Sequence, residues 1–171
     1  MENSINCRGH LLSLKEVSVM GILNVTEDSF FDGGRYYGKE KTYLERVENM
    51  LSEGADIIDI GAMSTRPNAI ELSEEEEYNR VKEVVNNIVK HFPNAILSID
   101  TWRSEVARLA IDSGAAIIND ISGGEFDPKM FDTVAQLKVP YILMHTSGKP
   151  EVMQQQTQYN DVVKDVYDYL S

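Results

Sequence analysis

Two segments of this chain are near copies of each other: Gly54-Ala55-Asp56-Ile57-Ile58-Asp59 and Gly114-Ala115-Ala116-Ile117-Ile118-Asn119. In each, a glycine stops a helical pattern, and the short apolar run that follows ends in a polar residue. A helix that hands over directly to a buried strand is an αβ unit. Similar apolar runs occur at Val17 to Val25, Ile57 to Ile60, Ile96 to Ile99, Ile117 to Ile118 with Ile121, and Tyr141 to Met144. Strands that are apolar on both faces and alternate with helices require a parallel sheet covered by helices.

The intervening helices follow from spacing. Leu44, Val47 and Leu51 share a face in Thr42 to Glu53, as do Tyr78, Val81, Val85, Ile88 and Phe92 in Glu74 to Phe92. Ser73-Glu74-Glu75-Glu76 is a capping-box pattern, so this acidic run is expected to cap a helix and face solvent. A third helix is expected from Ser104 to Ser113, stopped by Gly114. A fourth should open at Asp127-Pro128, with Asp as N-cap and Pro at the first helical position, and should bury Phe131, Val134, Ala135 and Leu137. The last spans Tyr159 to Leu170 and carries Val162, Val163, Val166 and Leu170. Residues 1–16, with the hairpin-like INCRGHLLSL, are expected to cap one end, and residues 17–171 to supply the β/α units.

The net charge of −12 argues against nucleic acid or an anionic membrane as the main partner. The single cysteine, Cys7, fits a reducing compartment. There is no long apolar run of signal-peptide or membrane-spanning kind, so a soluble, cytoplasmic protein is expected.

Every apolar run empties into polar residues. They are Asn24 and Thr26; Asp59 and Gly61, then Ser64-Thr65-Arg66-Pro67; Asp100, Thr101 and Arg103; Asn119 and Asp120, then Ser122-Gly123-Gly124; and His145. In a parallel sheet these ends share one edge, where ligands of α/β folds bind. Singly, most have structural readings. Asp100 or Thr101 could be a helix N-cap, Asp59 is more readily structural, and Asp120 could bond loop backbone. No H-x-x-x-H or C-x-x-C spacing supports a zinc site. No nucleophile elbow, P-loop or dinucleotide fingerprint occurs. The pooled set describes a site for a polar, hydrogen-bonding small molecule, with Arg66 suited to an anionic group.

Several motifs resemble dihydropteroate synthases in order and spacing. They are Gly21-Ile22-Leu23-Asn24-Val25-Thr26 with Asp28-Ser29-Phe30 and Asp32-Gly33-Gly34; Asp59-Ile60-Gly61 with Ser64-Thr65-Arg66-Pro67; Ser98-Ile99-Asp100-Thr101; Ile118-Asn119-Asp120 with Ser122-Gly123-Gly124; and Leu143-Met144-His145. The resemblance runs from Val17 onward. It implies an eight-stranded (β/α) barrel of TIM type, of which this chain carries about the first five units. It further implies condensation of a hydroxymethyl-dihydropterin pyrophosphate with p-aminobenzoate, with magnesium beside the pyrophosphate and a homodimer in the full-length form.

By the same resemblance, Asn24 contacts metal and pyrophosphate, and Asp100, Asn119 and Met144 bind the pterin substrate. Thr26, Asp28 and Asp32 belong to a first catalytic loop that also carries Phe30, and Thr65 and Arg66 to a second, with Thr65 also touching substrate. Glu27 stands where the family usually has proline, and Ala62-Met63 and Asn68 are further departures. The family's last three strands and their polar residues have no counterpart here, so the chain is expected to be an N-terminal portion, inactive alone. Two rival readings are a pterin-binding methyltransferase domain and a non-catalytic half-barrel that needs a partner chain.

Overall fold

The computed structural model describes residues 3–25, 36–62, 72–146, 148 and 157–171. A hairpin comes first, β1 (Ser4–Cys7) and β2 (His10–Ser13), paired antiparallel through a turn at Arg8 and Gly9. Both turn residues have positive φ, 54° and 93°, the combination of a type I′ two-residue hairpin turn. The β/α units follow: β3 (Met20–Asn24), α1 (Tyr36–Ser52), β4 (Ile57–Gly61), α2 (Glu74–His91), β5 (Ile96–Asp100), α3 (Ser104–Ser113), β6 (Ile117–Asp120), α4 (Met130–Leu137), β7 (Tyr141–Leu143) and α5 (Val162–Leu170).

Strands β3 to β7 form one parallel sheet in sequential order. A doubly wound sheet reverses its strand order partway; this one does not, so each crossover lies on the same side and the sheet has the topology of a barrel. Register then sorts the residues. Leu23, Ile60 and Ile99 are laterally paired and fully buried on the helix side, with Ile58, Leu97 and Ile118. They pack on Val47 of α1, on Val81, Val85 and Ile88 of α2, and on Val106, Ala107 and Ala110 of α3. Each fully buried Ile or Leu contributes about 1.5–3 kcal/mol.

The opposite, inner face has layers. At the bottom, Met20, Ile57 and Ile96 pair laterally. Cys7 of the hairpin is buried against Ile57, Ala116 and Ile117, with Ile5, Leu12, Met20 and Ile96 around it. The hairpin thus packs at the N-terminal end of the strands, and Arg8 Nη1 donates to the Ile111 carbonyl at 3.1 Å to fasten it.

Helix α2 has the expected cap: Glu76 N–H donates to Ser73 Oγ at 3.3 Å, and Ser73 N–H to Glu76 Oε2 at 2.9 Å. Two other helices differ from expectation. Helix α4 begins at Met130, not at Asp127-Pro128, and buries Met130 and Val134 while Phe131 stays exposed. Asp127 still bonds the turn that leads into α4, one carboxylate oxygen accepting from the Lys129 N–H at 2.9 Å, while the other accepts from the N–H of Ser104, the first residue of α3, at 2.8 Å. It therefore also caps the neighbouring helix. Helix α5 starts at Val162 behind Asp161, and Val162, Val163 and Leu170 are exposed. No helix among the described residues is long and apolar enough to cross a membrane.

Candidate functional site

The top inner layer is a single lateral row. Asn24 pairs in register with Gly61, Gly61 with Asp100, Asp100 with Asn119, and Asn119 with Ile142. Residues in register on a parallel sheet point to the same face. The structure therefore brings together Asn24, Asp100 and Asn119, three of the residues expected to bind ligand, on the inner face at the C-terminal edge. Met144 follows β7 at the same edge, half-buried, its N–H donating to the Asp120 carbonyl at 3.4 Å. Thr26, Asp28, Phe30, Asp32, Thr65 and Arg66, with the two loops that carry them, lie outside the described residues.

Gly61 gives the row its open space. A Cβ at this position would sit 3.3 Å from Asn24 Oδ1 and 3.5 Å from Asp100 Oδ2. Any side chain here would fill the gap between the amide and the carboxylate.

One layer down, Ile22, Asp59, Ser98 and Ile117 form the next row. Asp59 is a site residue that sequence reasoning assigned to structure. Its Oδ2 accepts from Asn119 Nδ2 at 3.0 Å, a contact that reaches across the intervening strand β5. Asp59 Oδ1 and Ser98 Oγ are buried and have no hydrogen-bond partner among the described residues. Strand parity could have revealed this, because Asp59 lies two residues before Gly61 and so faces the same way.

Asp100 carries the strongest electrostatic signature. Burial, followed by the charges of Asp59, Glu77 and Asp120, lifts its carboxyl to about 7, from an ordinary 3.8. It can take up or release a proton near neutrality and is not an N-cap: the residue preceding α3 is Arg103, which makes no side-chain cap. Thr101 is not a cap for α3 either. Its Oγ1 donates to Glu77 Oε1 at 2.6 Å, and Arg103 Nη1 donates to Glu77 Oε2 at 2.6 Å. Arg103 Nη2 also donates to the Leu72 carbonyl at 2.8 Å. Glu77, next to the solvent-facing acids of the capping box, is fully buried, and desolvation raises its carboxyl despite these partners.

Asp120 sits on the helix side of the sheet, and its carboxylate is spent locally. It accepts from the N–H groups of Ser122 at 2.7 Å and Gly124 at 3.0 Å, and from the Tyr141 hydroxyl at 2.6 Å. This is the loop-bonding role that its position allowed. His145 lies edge-on to the Tyr169 ring with centroids 4.7 Å apart. Among the described residues no group of three or more His, Cys, Asp or Glu could hold a metal ion.

The described part of the edge is therefore rich in acceptors: two inner carboxylates, two carboxamides and a hydroxyl. Such a floor favours a ligand that presents several N–H donors over one that presents an anion. The site lies at the C-terminal ends of the strands of a (β/α)-barrel protein, the edge where ligands of this fold bind. The chain belongs to the pterin-binding enzyme family, which matches residues 20–171.

The chain is 49% identical over 152 residues to the mitochondrial folate synthesis bifunctional protein of Arabidopsis thaliana, covering 86% of this chain and 27% of that one. It is 46% identical over 163 residues to the dihydropteroate synthase of Bacillus subtilis, covering 95% of this chain and 54% of the relative. The solved dihydropteroate synthase of Xanthomonas albilineans with 4-aminobenzoic acid superposes with a TM-score of 0.86 at 39% identity, covering 99% of this chain and 59% of that one. The chain thus spans about half the length of the dihydropteroate synthases it matches.

Proposed function

We propose that this chain is the N-terminal part of a dihydropteroate synthase, joining a dihydropterin pyrophosphate to p-aminobenzoate with release of pyrophosphate. The observation that carries the reading is the inner row of Asn24, Asp100 and Asn119 around Gly61, above the buried Asp59. A pterin ring presents N–H donors and ring acceptors along one edge. Asp100 as a carboxylate accepts from two of these donors, and Asn119 both donates and accepts. The similarity to synthases, one of them solved with 4-aminobenzoic acid, favours this over methyl transfer.

In this reading the C–O bond between the pterin methylene and pyrophosphate breaks first. Pyrophosphate departs with the bonding electrons. The aromatic amine of p-aminobenzoate attacks the methylene carbon and loses a proton, giving dihydropteroate. No protein nucleophile is required; the protein orients the reactants and matches the developing charge. Asp100 and Asn119 hold the ring. Thr26, Asp28, Asp32, Thr65 and Arg66 are assigned to the loops that close over the pyrophosphate and the aminobenzoate.

Magnesium is assigned to the pyrophosphate. It usually keeps several waters and takes few protein ligands beside substrate phosphates. A single amide oxygen, Asn24 Oδ1, at the open space above Gly61, suits that habit. When bound, the ion neutralises charge on the leaving pyrophosphate. A cytoplasmic location and a homodimer of the longer protein complete the proposal.

The test is binding of 6-hydroxymethyl-7,8-dihydropterin to the wild-type chain and to Asp100→Ala and Asn119→Ala. Each variant should bind roughly 5–150-fold more weakly, the range for one lost buried hydrogen-bond partner. Unchanged affinity in both variants would exclude the assignment.

A further inference from the structure

We infer that Asp59 is a positioning residue, which fixes the carboxamide of Asn119 so that its carbonyl oxygen and one remaining N–H are presented to the ligand. The identity of that ligand rests on the pterin reading above; the positioning itself rests on geometry.

A carboxamide can be turned over with little change of shape, exchanging an acceptor for two donors. A site that reads a heterocycle edge with an Asn needs one of the two orientations. Asp59 enforces it. Its carboxylate is acceptor-only when ionised, so the NH₂ side of Asn119 must face it, and Asn119 Nδ2 lies 3.0 Å from Asp59 Oδ2. The reverse orientation would place two oxygens together in a buried site.

Asp59 is itself held in place. It occupies an inner position of β4, paired on one side with Ile22 and on the other with Ser98, and it is 4% exposed. It lies one layer below the row that meets the ligand and acts through Asn119. Its charge is also felt by Asp100, together with those of Glu77 on α2 and Asp120 on β6.

The test uses the 171-residue chain in two arms. In the first, without ligand, the side-chain NH₂ of Asn119 is followed by ¹⁵N–¹H NMR, its signal assigned by its loss in Asn119→Asp. The wild-type chain should show two distinct, exchange-protected protons. Asp59→Ala should lose that distinction, and Asp59→Asn, which keeps an acceptor oxygen, should recover most of it. The ¹³C carboxyl titration of Asp100 should also move to lower pH in Asp59→Asn, because a neighbouring negative charge is gone while Glu77 and Asp120 remain. That shift reports the charge of Asp59 alone, whereas recovery of the Asn119 signal in Asp59→Asn separates positioning from a merely structural role.

In the second arm, affinity for 6-hydroxymethyl-7,8-dihydropterin is measured. Asp59→Ala should cost about tenfold and Asp59→Asn no more than about threefold. The double variant Asp59→Ala, Asn119→Ala should bind no more weakly than Asn119→Ala alone, the signature of a residue acting through its partner. Fully additive losses, or an Asn119 signal that ignores Asp59→Ala, would overturn the inference. Failure of the wild-type chain to bind the pterin would sink the proposed function, and the ligand-free arm would still decide the role of Asp59.

Discussion

Thr101 donates its hydroxyl to Glu77 at 2.6 Å, linking the end of β5 to a fully buried carboxylate on α2. Arg103 closes the same network by pairing with the other carboxylate oxygen and with the Leu72 carbonyl. The residue beside Asp100 is therefore anchored to a helix, which holds this stretch of the site edge in place.

Glu77→Ala would leave Arg103 and Thr101 facing a buried space. Breaking one partner of a buried ion pair typically costs ~3–5 kcal/mol. We expect a loss of that order in urea unfolding. Exposed Glu74→Ala should change stability by less than ~0.5 kcal/mol. Equal effects of the two substitutions would contradict the structural role given to Glu77.

Asp100 gives a pH prediction. Its carboxyl is near 7 in the folded chain against 3.8 for the ordinary side chain, so the folded state holds the proton more tightly. The proton uptake adds stability that is present at low pH and fades as pH rises from about 4 through about 7. Above pH 7 the folded state carries an ionised group that it disfavours. Asp100→Asn should therefore be more stable than the wild-type chain at pH 8, by about 2–4 kcal/mol at most, and no more stable at pH 4. Denaturant unfolding at the two pH values measures it. A constant difference at both would contradict the assignment.

Gly61→Ala would put a methyl group within 3.3 Å of Asn24 Oδ1 and 3.5 Å of Asp100 Oδ2. The fold should tolerate it, with a change in stability of about 1 kcal/mol or less. Affinity for the dihydropterin should fall at least about tenfold, because the methyl occupies the space between the two polar groups. Calorimetric titration of the variant checks this, and wild-type affinity would show that the ligand does not use that space.

Cys7 is fully buried under the sheet, and burial raises its thiol. Alkylation by iodoacetamide at pH 8 should be about 10²-fold slower in the native chain than in denaturant, since the thiolate is the reactive form. Fast labelling of the native chain would mean that the hairpin does not seal the inner face.

The sequence alone determined the parallel β/α succession, because each apolar run is too short for a helix and each is followed by a helical period with its own stop. It also determined that Asn24, Asp100 and Asn119 share an edge, since every parallel strand ends on the same side. It carried the family resemblance as well, in motifs whose order and spacing need no coordinates. What it left open was which polar residues at that edge face inward. Strand register decided this. Asp59, Asp100 and Asn119 fall on the inner parity, while Asp120, one residue beyond Asn119, falls on the helix side and is consumed by its own loop. Partners distant in the chain decided the rest. Asp127 bonds Ser104 of α3 as well as Lys129 at the entry to α4, and Glu77 became buried because α2 docks against the end of β5. Such contacts join residues 23 and 24 positions apart, and their energies exist only once the helices and strands have packed together.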